Sequence, residues 1–284
     1  MPDDRQPRGR VARGTRLGRV AVSHASRTAV RRAREPFMSD ADRAAARDAE
    51  VLRLADDLVG VLGTMKGAAM KLGQALSLLN LGLSSAQARD EFSNRLAPLY
   101  RRAPAVDNAV MFAMLDRELG RRRTQLNSIE PQPVAAASLG QVYRGKLEDG
   151  RAVAIKVQYP SVQSSVRADL KNLALLVRLR SKDFPSIGLE ELVREISHQI
   201  KLELDYEREL DNHRYVYRAH IGHPVFRIPE PIENLCTPRI LVSEYLDGTP
   251  LDQFSPPDRD VADRIGEAVY RFYCGGLYTT GRFC

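Results

Sequence analysis

Ala152-Val153-Ala154-Ile155-Lys156-Val157 is a short apolar run with one lysine inside it. Its length and β-branched content predict a strand, and a strand this apolar predicts a core element. An ammonium in a low-dielectric setting needs a counter-charge, because leaving it unpaired costs several kcal/mol, of order ~3–5. Working back from the lysine, Glu148-Asp149-Gly150 is a tight-turn signal. Before it, Val134 to Lys146 is rich in small and β-branched residues, so the two runs read as a hairpin. Working forward, two long helices are expected over about 162–182 and 188–220, separated by Phe184-Pro185-Ser186. Strands are expected again at Val225 to Ile228 and Arg239 to Glu244, and helix from Pro257 to the end. The fold class is therefore α+β, with a small antiparallel sheet and long helices.

The partner for Lys156 should come from the acidic stretch Glu203-Leu204-Asp205-Tyr206-Glu207-Arg208-Glu209. If 188–220 is one continuous helix, Asp205 and Glu209 share a face and Glu203 lies about 120° from Glu209. One helix would then offer carboxylates to two partners at once. A solvated, salt-bridged face is the competing reading of such a run. Gly140 to Lys146 spells G-x-x-x-x-G-K, but Leu147 stands where a phosphate loop needs Ser or Thr, and strand follows, so that motif is rejected.

Upstream, Ser39-Asp40-Ala41-Asp42 offers a capping hydroxyl with acids in the first turn. Helical spacing then runs through Val51, Leu54, Ala55, Leu58 and Leu62. Further helices are expected over Thr64 to Leu79, Ser84 to Leu96 and 106–119, which makes residues 39–125 an all-helical extension ahead of the sheet. Residues 1–34 carry ten Arg against Asp3 and Asp4, or +8, so the rest of the +7 chain sums to −1. Residues 1–38 read either as a solvated, disordered leader or as an arm for an anionic membrane face. The stretch lacks the apolar segment of a secretory signal, while its Arg and Ser content also suits a transit peptide. Without interleaved aromatic residues, specific nucleic-acid recognition is not expected. Cys236, Cys274 and Cys284 are too few and scattered for a disulfide framework or zinc site, which suits a reducing compartment. Arg exceeds Lys by 36 to 7, a bias that fits a GC-rich bacterial genome and a cytoplasmic protein. No stretch reaches the length of a membrane-spanning helix. His220 and His223 lack a third ligand of suitable spacing, so no metal site is assigned.

Val153-Ala154-Ile155-Lys156 matches the lysine strand of protein kinases, and the order of elements around it resembles a kinase N-lobe. The resemblance narrows to the UbiB/AarF (ADCK) family of atypical kinase-like ATPases. Lys71-Leu72-Gly73-Gln74 is similar to its K-x-G-Q signature, Ala135-Ala136-Ala137-Ser138 to its alanine-rich nucleotide loop, and Glu203-Leu204-Asp205 to its E-x-D motif. The likeness covers roughly residues 40–284 and implies a kinase-like N-lobe over 126–246, with the start of a helical C-lobe at 247–284. It further implies Lys156 and Glu209 as the catalytic pair. ATP or ADP would be held by Ala135, Ala136, Ala137, Ser138, Val142, Ala154 and Lys156. Backbone groups of Glu244 and Leu246 would meet adenine, with Ser243 as gatekeeper. Lys71, Gly73 and Gln74 would lie over the site in a regulatory role, tied to Glu203 and Asp205.

The family pattern then continues into an Asp-Pro-His-Pro-Gly-Asn-like catalytic loop and a metal-binding Asp-Phe-Gly, and neither occurs by Cys284. Asp183-Phe184-Pro185 precedes the hinge and lacks the glycine. The cofactor implied is ATP with magnesium, whose ligands fall in the missing motifs, so little turnover is expected of this chain alone. The resemblance implies ATP hydrolysis or action on a lipid or quinone precursor, at the cytoplasmic side or peripheral to an inner membrane. The alternative is a non-catalytic scaffold or regulatory module that binds a membrane or a protein.

Overall fold

The computed structural model describes residues 35–62, 83–100, 106–180 and 188–280, apart from Ser138 and Ser161. The chain divides into two compact units, residues 1–104 with 161–201, and 105–160 with 202–284.

The first unit is helical. Helix α1 spans Asp40–Leu62 and α2 spans Ala86–Tyr100. Ser39 Oγ accepts the Asp42 N–H at 3.1 Å, and Ser85 Oγ accepts the Ala88 N–H at 3.1 Å, so each helix starts on a hydroxyl cap. Val51, Leu54, Ala55 and Leu58 of α1 are buried, as are Phe92, Leu96 and Leu99 of α2. Arg95 of α2 bridges Asp56 of α1 and Glu91 of its own helix. Helices α4 (Val162–Arg180) and α5 (Leu189–Glu203) come later in the chain. α4 packs on α1 and buries Val166, Leu170, Leu173, Leu176 and Val177. The helix expected over Thr64 to Leu79, and with it Lys71, Gly73 and Gln74, lies outside the described residues.

The second unit is built on a five-stranded antiparallel sheet of order β1-β3-β4-β5, with β2 pairing to β3. The strands are β1 Leu126–Ile129, β2 Ala135–Ala137, β3 Gly140–Leu147, β4 Ala152–Gln158 and β5 Ile240–Glu244. Helix α3 (Asn108–Leu119) begins on Asp107, whose carboxylate accepts the Ala109 N–H. Its Phe112 packs on Tyr143 of β3 with ring centroids 5.1 Å apart. Tyr143, Val153, Ile155 and Val157 form one buried layer of the sheet, as strand alternation requires. Two glycines make the β3–β4 hairpin possible. A Cβ on Gly140 would stand 2.2 Å from the Val157 carbonyl oxygen, so no side chain fits there. Gly150 takes φ +87° in the turn, a left-handed conformation that glycine adopts freely.

Three expectations about elements are corrected. The single helix expected over 188–220 is two, α5 ending at Glu203 and α6 spanning Tyr206–Ala219. The Asp205 carboxylate accepts the Arg208 N–H at 3.0 Å, so the side chain caps a new helix instead of continuing the old one. The strand expected at Val225 to Ile228 does not form. Proline at 229 and 231 removes ladder donors, and pairing to β5 is limited to the Pro231–Ser243 bridge and bonds around it. The Ala135–Ala137 stretch, expected as a loop, runs as β2 against β3. The final helix, α7, spans Arg259–Thr280. Among the described residues no helix is long and apolar enough to cross a membrane.

Candidate functional site

Lys156 sits on the face of β4 opposite the buried Val153-Ile155-Val157 layer. Its Nζ donates to Glu209 Oε1 at 2.6 Å, in an ion pair whose side chains are 28% and 38% exposed. The pair is thus open to water on one side and screened on the other. The same ammonium lies 4.9 Å from the centroid of the Tyr206 ring, a cation–π contact that holds it from below. Glu209 reaches it because α6 starts at Asp205: the Glu209 N–H bonds the Asp205 carbonyl at 3.0 Å, in the first turn of the helix.

The Tyr206 ring is buried, and its hydroxyl meets no hydrogen-bond partner among the described residues. Burial first, and then the nearby Glu209 and Glu203 carboxylates, hold this phenol far above its ordinary pKa. The ring therefore stays neutral beside the lysine at any physiological pH.

Register places other residues around the pair. Val142 is directly opposite Lys156, and Ala154 precedes it by two on the same strand, so both share its face. Both are half-buried, which leaves a shallow apolar surface beside the ammonium. Ala135 and Ala137 pair with Val142 and Gly140 and share that face, whereas Ala136 lies on the other. Ser138 lies outside the described residues. Of the hinge that the resemblance implies, Ser243 pairs with Ala154 on the same face. The Glu244 N–H is already given to the Glu230 carbonyl at 2.8 Å, and the Tyr245 N–H to Ala152 at 2.9 Å. The Leu246 N–H has no partner among the described residues, so it is open to a ligand acceptor. The Glu244 carboxylate is held by Arg227 and faces away from any such role.

The expectation that Asp205 and Glu209 share one face of a single helix, with Glu203 on another, is overturned by the break between α5 and α6. Glu203 closes α5, while Asp205 is the cap of α6 and so is engaged with its own backbone. Sequence reasoning also passed over Gln158, which is fully buried and whose Nε2 donates to the Leu204 carbonyl at 2.8 Å. A polar residue two positions beyond Lys156 on an apolar strand was the available signal.

A cleft of about 1080 Å³ lies elsewhere in this unit, between the end of α6 and α7, lined by His220, Phe226, Arg264 and Phe272 among others. The His220 ring meets Phe226 edge-on and Phe272 at a tilt, with centroids 5.8 and 5.6 Å apart, and its Nδ1 is 2.8 Å from the Val216 carbonyl. This cleft is mainly apolar and contains none of the residues gathered around Lys156.

Residues 98–283 match the ABC1 atypical kinase-like domain. The chain belongs to that family, the UbiB/AarF group. It is 34% identical over 212 residues to the mitochondrial atypical kinase COQ8B of Rattus norvegicus, covering 74% of this chain and 39% of that protein. To AarF domain-containing protein kinase 1 of Xenopus laevis it is 29% identical over 233 residues, covering 81% and 44%. Among solved structures it is similar to the complex of Rv3197 with erythromycin from Mycobacterium tuberculosis. That match has a TM-score of 0.54 and 31% identity, and covers 80% of this chain and 57% of that one. The chain therefore spans well under two thirds of each of these relatives, and the kinase-like α+β fold read from the sequence holds.

Proposed function

We propose that this chain carries the nucleotide-binding portion of an atypical kinase-like ATPase. The observation that carries the reading is the Lys156–Glu209 pair at 2.6 Å, set on the same sheet face as Val142 and Ala154. A three-donor ammonium fixed by one carboxylate still has two protons for phosphate oxygens. The half-buried apolar face beside it suits an adenine ring, and the Leu246 N–H supplies an acceptor's partner at the end of β5. These residues fit ATP or ADP. Bound magnesium would neutralise phosphate charge, and its protein ligands belong to motifs not found in this sequence.

In the whole protein the nucleotide is used in isoprenoid-quinone or lipid metabolism, a reading supported by the COQ8B likeness. Residues 1–34 bind an anionic membrane face, which agrees with their charge of +8. The solved relative in complex with erythromycin makes a macrolide a second ligand worth testing. A purely scaffolding role is the other reading, and the same experiment separates it.

The test is a thermal shift of the chain with excess Mg-ATP or Mg-ADP, beside Lys156→Ala. Ligand at 100 times its dissociation constant adds about 2.7 kcal/mol to the folded state, which is a shift of several degrees. A shift in the parent that vanishes in the variant supports the nucleotide site. Affinity left unchanged by Lys156→Ala removes it, and a folded chain with no shift favours the scaffold.

A further inference from the structure

Lys156 and Gln158 stand two residues apart on β4, so both side chains leave the same face of the strand. Each grips a different point at the start of α6. Lys156 bonds the Glu209 carboxylate at 2.6 Å, and Gln158 Nε2 donates to the Leu204 carbonyl at 2.8 Å. The order is reversed: the later strand residue holds the Leu204 carbonyl at the turn, and the earlier one holds Glu209 in the first turn of α6.

The Gln158 amide sits in this position at a cost. The residue is fully buried, and its Oε1 has no hydrogen-bond partner among the described residues. A buried acceptor left unpaired destabilises the fold, and an apolar residue of the same shape would avoid that. Departures of this kind from local stability collect where position matters more than stability. The Leu204 carbonyl is the last before the Asp205 cap, at the break between α5 and α6. A bond to it fixes where the new helix begins, and so how far along β4 Glu209 falls.

We infer that Gln158 is a positioning residue for the nucleotide site: it pins the Leu204–Asp205 turn to the sheet and thereby sets Glu209 against Lys156. The inference rests on the nucleotide reading above. Gln158 does not touch the nucleotide. Its effect passes through the lysine and falls on phosphate binding, while the adenine side of the site is left alone.

The experiment is calorimetric titration of the full chain with Mg-ADP and, separately, with adenosine, for the parent, Gln158→Met, Glu209→Gln and the double variant. Gln158→Met keeps the volume and loses the donor. Mg-ADP binding should weaken about tenfold, which is 1.4 kcal/mol, with adenosine affinity unchanged within about twofold. In the Glu209→Gln background the same change should add nothing further, because both act on one contact. Equal weakening for both ligands, no weakening, or full additivity would overturn the proposal. Should Gln158→Met not fold, Gln158→Leu is titrated in its place with the same criteria. A parent chain that binds no nucleotide would sink the nucleotide reading by itself. The clamp is then decided by a crystal structure of the Gln158 variant: a Lys156–Glu209 separation beyond the 4.0 Å of an ion pair supports it, and a distance unchanged from 2.6 Å overturns it.

Discussion

Lys156 is held by a carboxylate on one side and an aromatic face on the other, and the two contacts respond differently to substitution. Tyr206→Phe keeps the ring and deletes a hydroxyl that has no partner among the described residues. Chemical denaturation should place it within about 1 kcal/mol of the parent, with nucleotide affinity retained. Tyr206→Leu removes the π face as well and should cost about 2 kcal/mol, with weaker nucleotide binding. Tyr143 gives a pH dependence. Burial foremost, with Tyr159 nearby, pushes its phenol up to about 12 from an ordinary value of 10.0. The folded state thus keeps a proton that the unfolded chain releases above pH 10. Stability from this group is full below pH 10 and is lost as pH rises toward 12, by about 1.4 kcal/mol per pH unit at most. Urea titrations between pH 9 and 11 should show that decline in the parent, and a smaller one in Tyr143→Phe.

Among the elements, α6 matters most to the site and was the hardest to read. Its sequence continues the helical pattern of α5 without Gly or Pro, so periodicity alone joins them. The signal for a new start is Asp205 with Glu209 downstream, a cap that competes with the helix interior for the same residue. Asp205→Ala should therefore cost about 1 kcal/mol of stability by loss of the cap. It should also weaken Mg-ADP binding, because Glu209 lies in the turn the cap secures; titration calorimetry checks the second effect and denaturation the first. The β3–β4 hairpin, by contrast, was legible in detail. Strand pattern and a Glu-Asp-Gly turn give both its existence and its alternation. Its close approach at Gly140 was not legible, since nothing local says that the Val157 carbonyl passes where a Cβ would stand. Gly140→Ala should lower the melting temperature by an amount equivalent to about 1–3 kcal/mol.

For the whole molecule, the charge division is the property with a direct consequence. Residues 1–34 hold +8 and the remainder −1, so attraction to an anionic surface should reside in that arm. Co-sedimentation with phosphatidylserine vesicles should fall steeply with salt and be lost on deleting residues 1–34. Binding that survives the deletion would assign membrane contact to another part of the chain.

The family, the α+β class, the hairpin and the need of Lys156 for a counter-charge were all legible in the order of residues. Those follow from short-range pattern: alternation, turn chemistry and one charge in an apolar strand. What needed the fold was which side of the alanine strand faces the lysine, and that Gln158 and Tyr206 stand beside it. Each depends on a partner more than forty residues away in sequence or on strand register, and a local pattern carries neither.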